Sequence, residues 1–426
     1  MASASDASPH PITPSVAPLP PPSAPDRPPT IPPPLYVVLL DPLEQLRALD
    51  PQSPHVLSAA LFPPLLSPRV RAARPRRGAG PPVENEEGLC AWVEAAHAAL
   101  TSRHATFCAA WRLPPAASPP PPPPAAPAVP PLAALAHAQR YDAPPLRRAE
   151  CSPGATLCPP LLFSSLLANP RPAPLAFTAL GAQWLVPRDA AFCLAPLRRW
   201  RELAPLAPPD GYRLLLLDPP WRSRSVARKR NYATVGDETL LAQLPVPQLA
   251  CAACCLIAVW ITNSRHRFVL EVLLPSWGAR RIATWYWLKL TSDGRFSTGA
   301  DPRSPHRKPW EPLILAFIGR DPPRLPTRLA LSSVPLTHSH KPALDALLRP
   351  AAPHLLQSGR SGELVEEHEA WQQLPKMELF ARELRPHWHS VGDEALYFQH
   401  SGFYQSCHAN SGHEDDRNNI CAASRT

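Results

Sequence analysis

The chain has 426 residues, with 43 basic side chains against 34 acidic ones and 64 prolines. Proline stands at about three times its usual share, and 35 of the 64 fall in residues 1–150. Proline fixes φ and lacks an amide donor, so so dense a stretch excludes continuous helix or central strand. The compact fold is expected in the later two thirds. The formal charge of +9 suits a polyanionic partner without requiring one. The longest uncharged apolar runs, such as Leu35 to Leu40 and Leu214 to Leu217, are too short to cross a bilayer, so no membrane span is expected.

The first 30 residues hold one Arg, two Asp and many prolines. That is neither a secretory apolar core nor an Arg-rich, acid-poor transit peptide, so a nuclear protein is expected, with a cytosolic one also open. Residues 1–34 read as a disordered proline-rich region. Residues 35–112 read as a small N-terminal element. It carries a basic arm of Arg69, Arg71, Arg74, Arg76 and Arg77, equally suited to nuclear import, nucleic acid or plain solvation. Within it, Leu89, Trp92, Val93, Ala96 and Leu100 share one side of an amphipathic helix. Residues 113–158 read as a proline-rich linker, stiffened by the run Pro119 to Pro124.

From about residue 159 to 400 the pattern is that of one α/β domain, with 401–426 as a flexible tail. Strands are expected at Gln183–Pro187, Tyr212–Leu217, Cys255–Ile261, Ile282–Leu290, Pro312–Ile318 and Lys376–Ala381. Helices are expected at Arg265–Leu274, packed through Phe268, Val269, Val272 and Leu273, and at Ala343–Leu348. Apolar runs alternating with helices point to a parallel or mixed sheet covered on both faces.

The ten cysteines are dispersed, and the single C-x-x-C of Cys251 and Cys254 has no second pair at finger spacing. It reads as small apolar residues entering a buried strand. His338-Ser339-His340 and His387-Trp388-His389 have no carboxylate or thiol set at ligand spacing, so no metal is expected.

The chemistry is carried by Asp218-Pro219-Pro220-Trp221, directly after the strand Leu214–Leu217. In an open α/β sheet, ligands bind beyond the carboxyl ends of strands. Two prolines remove two donors and leave carbonyls to accept from a ligand. Asp218 and a proline carbonyl can grip an –NH₂ group, and Trp221 offers a face on which a base stacks. This suits methylation of an exocyclic base amine, whose lone pair is delocalised until hydrogen bonds draw the nitrogen toward sp³ geometry. A strand followed by a plain proline turn is the alternative reading of the motif alone.

Further stretches join it in order: Arg224-Ser225-Val226, Asn231-Tyr232, Trp260-Ile261-Thr262-Asn263, Leu274-Pro275-Ser276-Trp277 and Trp285-Tyr286-Trp287-Leu288-Lys289. They continue with Ser304-Pro305-His306-Arg307-Lys308-Pro309-Trp310-Glu311, the run Ser333 to Pro342, and Glu378-Leu379-Phe380-Ala381-Arg382. Together these resemble the MT-A family of S-adenosylmethionine-dependent adenine-N6 methyltransferases. The resemblance implies a Rossmann-like methyltransferase sheet in a permuted order, with the catalytic motif preceding the cofactor strand. It implies that Lys341 meets the methionine carboxylate of S-adenosylmethionine, and that Arg382, Asp393 and Glu394 hold the ribose. Family members often have an amide where Asp393 stands, and a glycine where Ala381 stands. Asn231 and Tyr232 resemble substrate-pocket residues.

Arg222, Arg224, Arg228, Lys229 and Arg230 put five cations in nine residues beside the motif. Without glycine they form no P-loop, and phosphate contacts are expected. The expected partner is nucleic acid, RNA before DNA. The resemblance implies small nuclear RNA of the U2 type as the leading candidate, at a 2′-O-methylated adenosine. The alternatives are a DNA N6-adenine methyltransferase, a weakly catalytic RNA-binding scaffold, or a protein-amide methyltransferase. Asp218, Trp221 and Lys341 argue against the scaffold, and the basic loop against the last. No protein partner is required by the sequence.

Overall fold

The computed structural model describes residues 37–39, 55–57, 86–103, 127–139, 144–221, 238–291, 294–297, 302–303, 308–335, 340–357 and 365–406. The expectations for residues 1–34, for Arg69–Arg77, for Pro119–Pro124 and for residues 222–232 lie outside them.

The described strands are β1 Val37–Leu39, β2 His55–Leu57, β3 Arg147–Glu150, β4 Ser165–Asn169, β5 Leu175–Ala179, β6 Ala182–Val186, β7 Ala190–Cys193, β8 Leu214–Leu217, β9 Cys254–Trp260, β10 Arg280–Lys289, β11 Trp310–Gly319, β12 Arg328–Ser333, β13 Lys376–Leu379, β14 His389–Val391 and β15 Tyr404–Ser406. Eleven of them build one sheet in the order β1-β12-β10-β11-β9-β8-β13-β14-β7-β4-β3. The central run β9-β8-β13-β14-β7 is parallel throughout. On its outer side β11 lies antiparallel between β9 and β10.

Every residue of β8 and of β9 is buried, and the period of two sorts their side chains onto opposite faces. Leu215, Leu217, Cys255, Ile257 and Val259 enter one core, together with Val269, Leu273 and Leu274 of the segment that follows β9. Leu214, Leu216, Cys254, Leu256, Ala258 and Trp260 enter the other, with Leu348, Leu355 and Trp371 from the helical segments before β13. That two-sided cover is why these strands read as continuous apolar runs. Cys254 and Cys255 are the first residues of β9, as a buried strand requires.

The α/β reading and its permuted order agree with this sheet: β8 precedes β13 in the chain yet lies beside it. Several boundaries differ. Arg147–Glu150, expected in a linker, is the edge strand β3 on β4. Val37–Leu39 pairs with β12 and so joins the main sheet. Tyr404–Ser406, expected in a tail, pairs with β2. The strands β12 and β14 were not expected: both carry buried serines, and β14 has only three residues. The helix Glu86–Arg103 forms, and it buries Cys90, Val93 and Ala96 against Tyr286, Leu288 and Trp310.

In the helix after β9, Val269 and Leu273 are buried as expected, but Val272 is 42% exposed. A π-turn spans Val269–Leu273. Pro275 has no N–H to give the carbonyl of Glu271, so the regular ladder cannot pass through this turn, and the face shifts by about one residue.

His389 opens β14, and its Nδ1 lies 2.6 Å from the Tyr212 hydroxyl. Burial, with Arg148 and Lys376 nearby, lowers its pKa to about 4. Below the ordinary histidine range, the unfolded chain therefore binds a proton that the folded chain refuses. Stability is expected to fall as pH drops from about 6.5 toward 4. His389→Gln should flatten that part of a plot of melting temperature against pH, and an unchanged plot would remove His389 as its source.

Candidate active site

β8 and β13 meet where the chain order reverses: β9 follows β8 on one side, and β13 arrives late on the other. Such a switch point splays the loops at the strand ends and opens a crevice there. Asp218 is the first residue beyond β8, and its amide donates to the Leu379 carbonyl at 3.3 Å, extending the β8–β13 ladder by one step.

The Asp218 side chain is 19% exposed and accepts from Lys341 Nζ through Oδ2 at 2.9 Å. The same ammonium lies 3.4 Å from Oε2 of Glu311, and Glu311 Oε1 accepts from Lys289. The ammonium of Lys341 lies 5.9 Å from the centre of the Trp260 ring, and that of Lys289 4.7 Å from the Trp287 ring. Four charges thus alternate in sign from Lys289 to Asp218. Burial disfavours charge at each of the inner three. At Asp218 burial dominates and the pKa is raised, although Lys341 and Arg382 pull it down. At Lys341 burial is overcome by Asp218 and Glu311, and the pKa is raised. At Glu311 burial is likewise overcome by Lys341 and Lys289, and the pKa is lowered.

Pro219 and Pro220 form a tight turn in which the Pro219 carbonyl accepts from Trp221 N at 2.8 Å. That carbonyl, expected to await a ligand, already serves the turn. The Trp221 indole donates to the Trp260 carbonyl at 2.8 Å, and the ring is 8% exposed. The aromatic end of the motif is therefore locked to β9, the neighbouring strand.

The second half of the site lies beyond β13 and β14. Phe380 leaves β13 with φ of 65° and packs on Trp200 at 4.5 Å between ring centres. Gly392 follows β14, and a Cβ there would lie 2.6 Å from the Ala381 carbonyl. Only glycine lets these two turns approach so closely. Arg382 Nε lies 2.9 Å from Glu394 Oε2, and its guanidinium covers the Tyr397 ring at 4.3 Å. The Glu394 pKa is raised by burial and by Asp393, against the pull of Arg382. Asp393 Oδ2 is 3.1 Å from His137 Nε2.

Of the expected residues, the structure brings Asp218, Pro219, Pro220, Trp221 and Lys341 together, and Arg382, Asp393 and Glu394 together at the adjoining strand ends. Lys341, expected at the cofactor, touches Asp218 itself. Arg222, Arg224, Arg228, Lys229, Arg230, Asn231 and Tyr232 lie outside the described residues. Sequence reasoning gave no role to Glu311, Lys289, Trp260 or His137. The first three sit within the quoted family stretches, so a signal was present; His137 sits in a proline-rich segment that carries none. His340 Nε2 donates to the Glu383 carboxylate at 3.0 Å, a buried structural pair. Among the described residues no group of three or more His, Cys, Asp or Glu could hold a metal ion.

The donor set suits S-adenosylmethionine. An ammonium has three N–H donors; the carboxylates of Asp218 and Glu311 take two of Lys341's, which leaves one for a ligand carboxylate. The close turns at Gly392 and the acids at 393 and 394 offer backbone approach and acceptors for hydroxyls.

A doubly wound sheet with an acidic-proline-aromatic tetrapeptide at its switch point defines a Rossmann-like methyltransferase domain. The MT-A70 family pattern matches residues 212–394 of this chain. It is 33% identical over 257 residues to the N(6)-adenine-specific methyltransferase METTL4 of Mus musculus, covering 57% of this chain and 50% of that protein. It is 31% identical over 238 residues to the N6-methyladenosine RNA methyltransferase MTA1 of Pyricularia oryzae, covering 52% and 56%. It is 38% identical over 192 residues to the DNA N6-methyl methyltransferase of Caenorhabditis elegans, covering 44% and 46%. The chain spans about half the length of these relatives.

Lys341→Met should leave Asp218 without its cation beside Glu311, which keeps only Lys289, in a half-dry site, at a cost of roughly 3 kcal/mol in stability. Adding Asp218→Asn should recover part of that loss in chemical denaturation. A Lys341→Met protein as stable as the parent would show that the ion cluster holds nothing together.

Proposed function

We propose that this chain transfers a methyl group from S-adenosylmethionine to the exocyclic N6 amine of adenine in nucleic acid, and that RNA is the main substrate. The observation that carries the reading is Asp218, half-buried at the carboxyl end of β8 and held by Lys341 through one oxygen, Oδ2. That pairing leaves Oδ1 to accept from the amine of an adenine entering the crevice. A proline carbonyl of the same turn accepts the second N–H. Together the two acceptors localise the nitrogen lone pair. The cofactor, when bound, supplies an electrophilic methyl group; the residues of this chain position the amine in line with it. Lys341, Arg382, Asp393 and Glu394 are its proposed contacts, through the carboxylate and the ribose.

The basic residues Arg222, Arg224, Arg228, Lys229 and Arg230 are proposed to grip phosphates, and Asn231 and Tyr232 to line the base pocket. Relatives named for RNA and for DNA methylation support nucleic acid as the substrate class. RNA is favoured over duplex DNA because a single strand presents an unpaired base at lower cost than a duplex. Small nuclear RNA bearing a 2′-O-methylated adenosine is the first substrate to try.

The test is mass spectrometry of nucleosides after incubation with adenine-containing RNA, single-stranded DNA and duplex DNA. N6-methyladenine in RNA is expected to exceed that in either DNA. Methylation of DNA alone would overturn the preference, and no methylation of any of the three would overturn the activity.

Asp218→Ala should lower turnover by roughly 10²–10³, the scale of one preorganised electrostatic contact. Because burial raises the Asp218 pKa, the acid limb of kcat/KM against pH should lie above the ordinary carboxylate range. A limb at or below that range would place the active carboxylate elsewhere. Replacing Arg228, Lys229 and Arg230 by Ala should lower the log–log salt slope of RNA binding by about 2, with cofactor affinity unchanged. A parental slope would remove this loop from the phosphate surface.

A further inference from the structure

The helix Leu132–Ala138 falls in a stretch whose proline content reads as linker, yet it is built into the core. Leu132 and Ala136 are buried in the same cluster as Ala381, Leu384, Ala395 and Leu396. Those four flank Arg382 on one side and the acids at 393 and 394 on the other. One small apolar core therefore ties this helix to both segments of the proposed ribose site.

The last turn of the helix carries His137 onto Asp393, with Nε2 and Oδ2 3.1 Å apart. Arg198, from the segment after β7, donates to the carbonyls of His137 at 3.2 Å and of Gln139 at 3.0 Å. Its guanidinium also lies 3.5 Å from His137 Nδ1. Arginine can only donate, so Nδ1 accepts and the Nε2–H faces Asp393. The contacts form a directed chain from Arg198 through His137 to the carboxylate.

The chain answers a local electrostatic difficulty. Asp393 and Glu394 are adjacent acids at one strand end, and like charges so placed repel. Arg382 takes Glu394 at 2.9 Å. His137 takes Asp393 by the oxygen Oδ2, which leaves Oδ1 for another donor. Each acid thereby has its own donor, and neither donor needs the other acid.

We propose that residues 127–139 are a working part of the cofactor site, with His137 as the residue that positions Asp393 to accept from a ribose hydroxyl. The proposal rests on the assignment of Asp393 and Glu394 to the ribose made above. It deepens that assignment by adding a residue from outside the MT-A70 match, since that match begins at residue 212.

The test uses the full chain and calorimetry with S-adenosylmethionine. His137→Ala should weaken cofactor binding by about 3- to 10-fold, between the scale of an exposed pair and that of a hydrogen bond to a charged group. The cofactor KM should rise while kcat at saturating cofactor stays unchanged. His137→Gln, which keeps an N–H donor, should restore most of the affinity. In an Asp393→Asn background the His137→Ala change should have little further effect. His137→Phe keeps the ring's bulk without the donor and serves the same comparison if alanine compromises folding. A folded donor-less variant with parental cofactor affinity would overturn the proposal. A loss of equal size in the Asp393→Asn background would overturn the pairing with Asp393. A parental chain that binds no cofactor would instead overturn the ribose assignment, and the proposed activity with it.

Discussion

The ammonium of Lys341 between the carboxylates of Asp218 and Glu311 is the interaction on which the site depends. Charges withdrawn from water are costly unless each meets an opposite partner with good geometry. Here one cation satisfies two anions, and a second cation, Lys289, satisfies the far oxygen of Glu311. The four residues come from β8, β11, β10 and the segment before the helix Asp345–Leu348. They meet only when β11 has been inserted antiparallel between β9 and β10. The sheet order is thus a condition for the charge cluster, and the cluster is a condition for keeping an aspartate half-buried at the end of β8.

The same geometry explains why the tetrapeptide has its composition. Asp218 continues the ladder to β13, so its backbone is fixed before its side chain acts. The two prolines stop the strand and turn the chain. Trp221 is then tied by its indole to the Trp260 carbonyl, on the strand at the other side of β8. One end of the motif is held by β13 and the other by β9, which leaves the aspartate at the crevice between them. Preorganisation of this kind is where a site that moves a methyl group between bound partners gains most.

The half of the site beyond β13 and β14 follows from a different constraint, the close approach of two turns. Phe380 adopts a left-handed backbone and Gly392 admits the Ala381 carbonyl, so the ends of β13 and β14 lie almost in contact. Arg382 and Glu394 can then pair across the gap. Residues far upstream complete this corner: Trp200 packs on Phe380, and the helix Leu132–Ala138 shares the core beneath it. The parts of the site at β8 and at β13–β14 are therefore stabilised by different parts of the chain, although they adjoin at one ladder step.

The amino-acid sequence by itself determined the central strands, the α/β class and the tetrapeptide. Strands buried on both faces must be apolar throughout, and a proline pair after an aspartate leaves few conformations. It also carried the family stretches, and so singled out Asp218 and Lys341, but not that the two would pair. What only the tertiary structure decided depends on partners distant in the chain. The short strand β14 and the serine-bearing β12 form because neighbours are already in place, not from local preference. The exposed Val272 results from a π-turn whose cause lies at Pro275. The edge strand β3 and the helix with His137 arise in segments whose proline content argues against them. Glu311 became part of the site because strand insertion set it 3.4 Å from Lys341. Local composition fixes which segments can be buried; the free energy of burying them against one another decides which side chains meet.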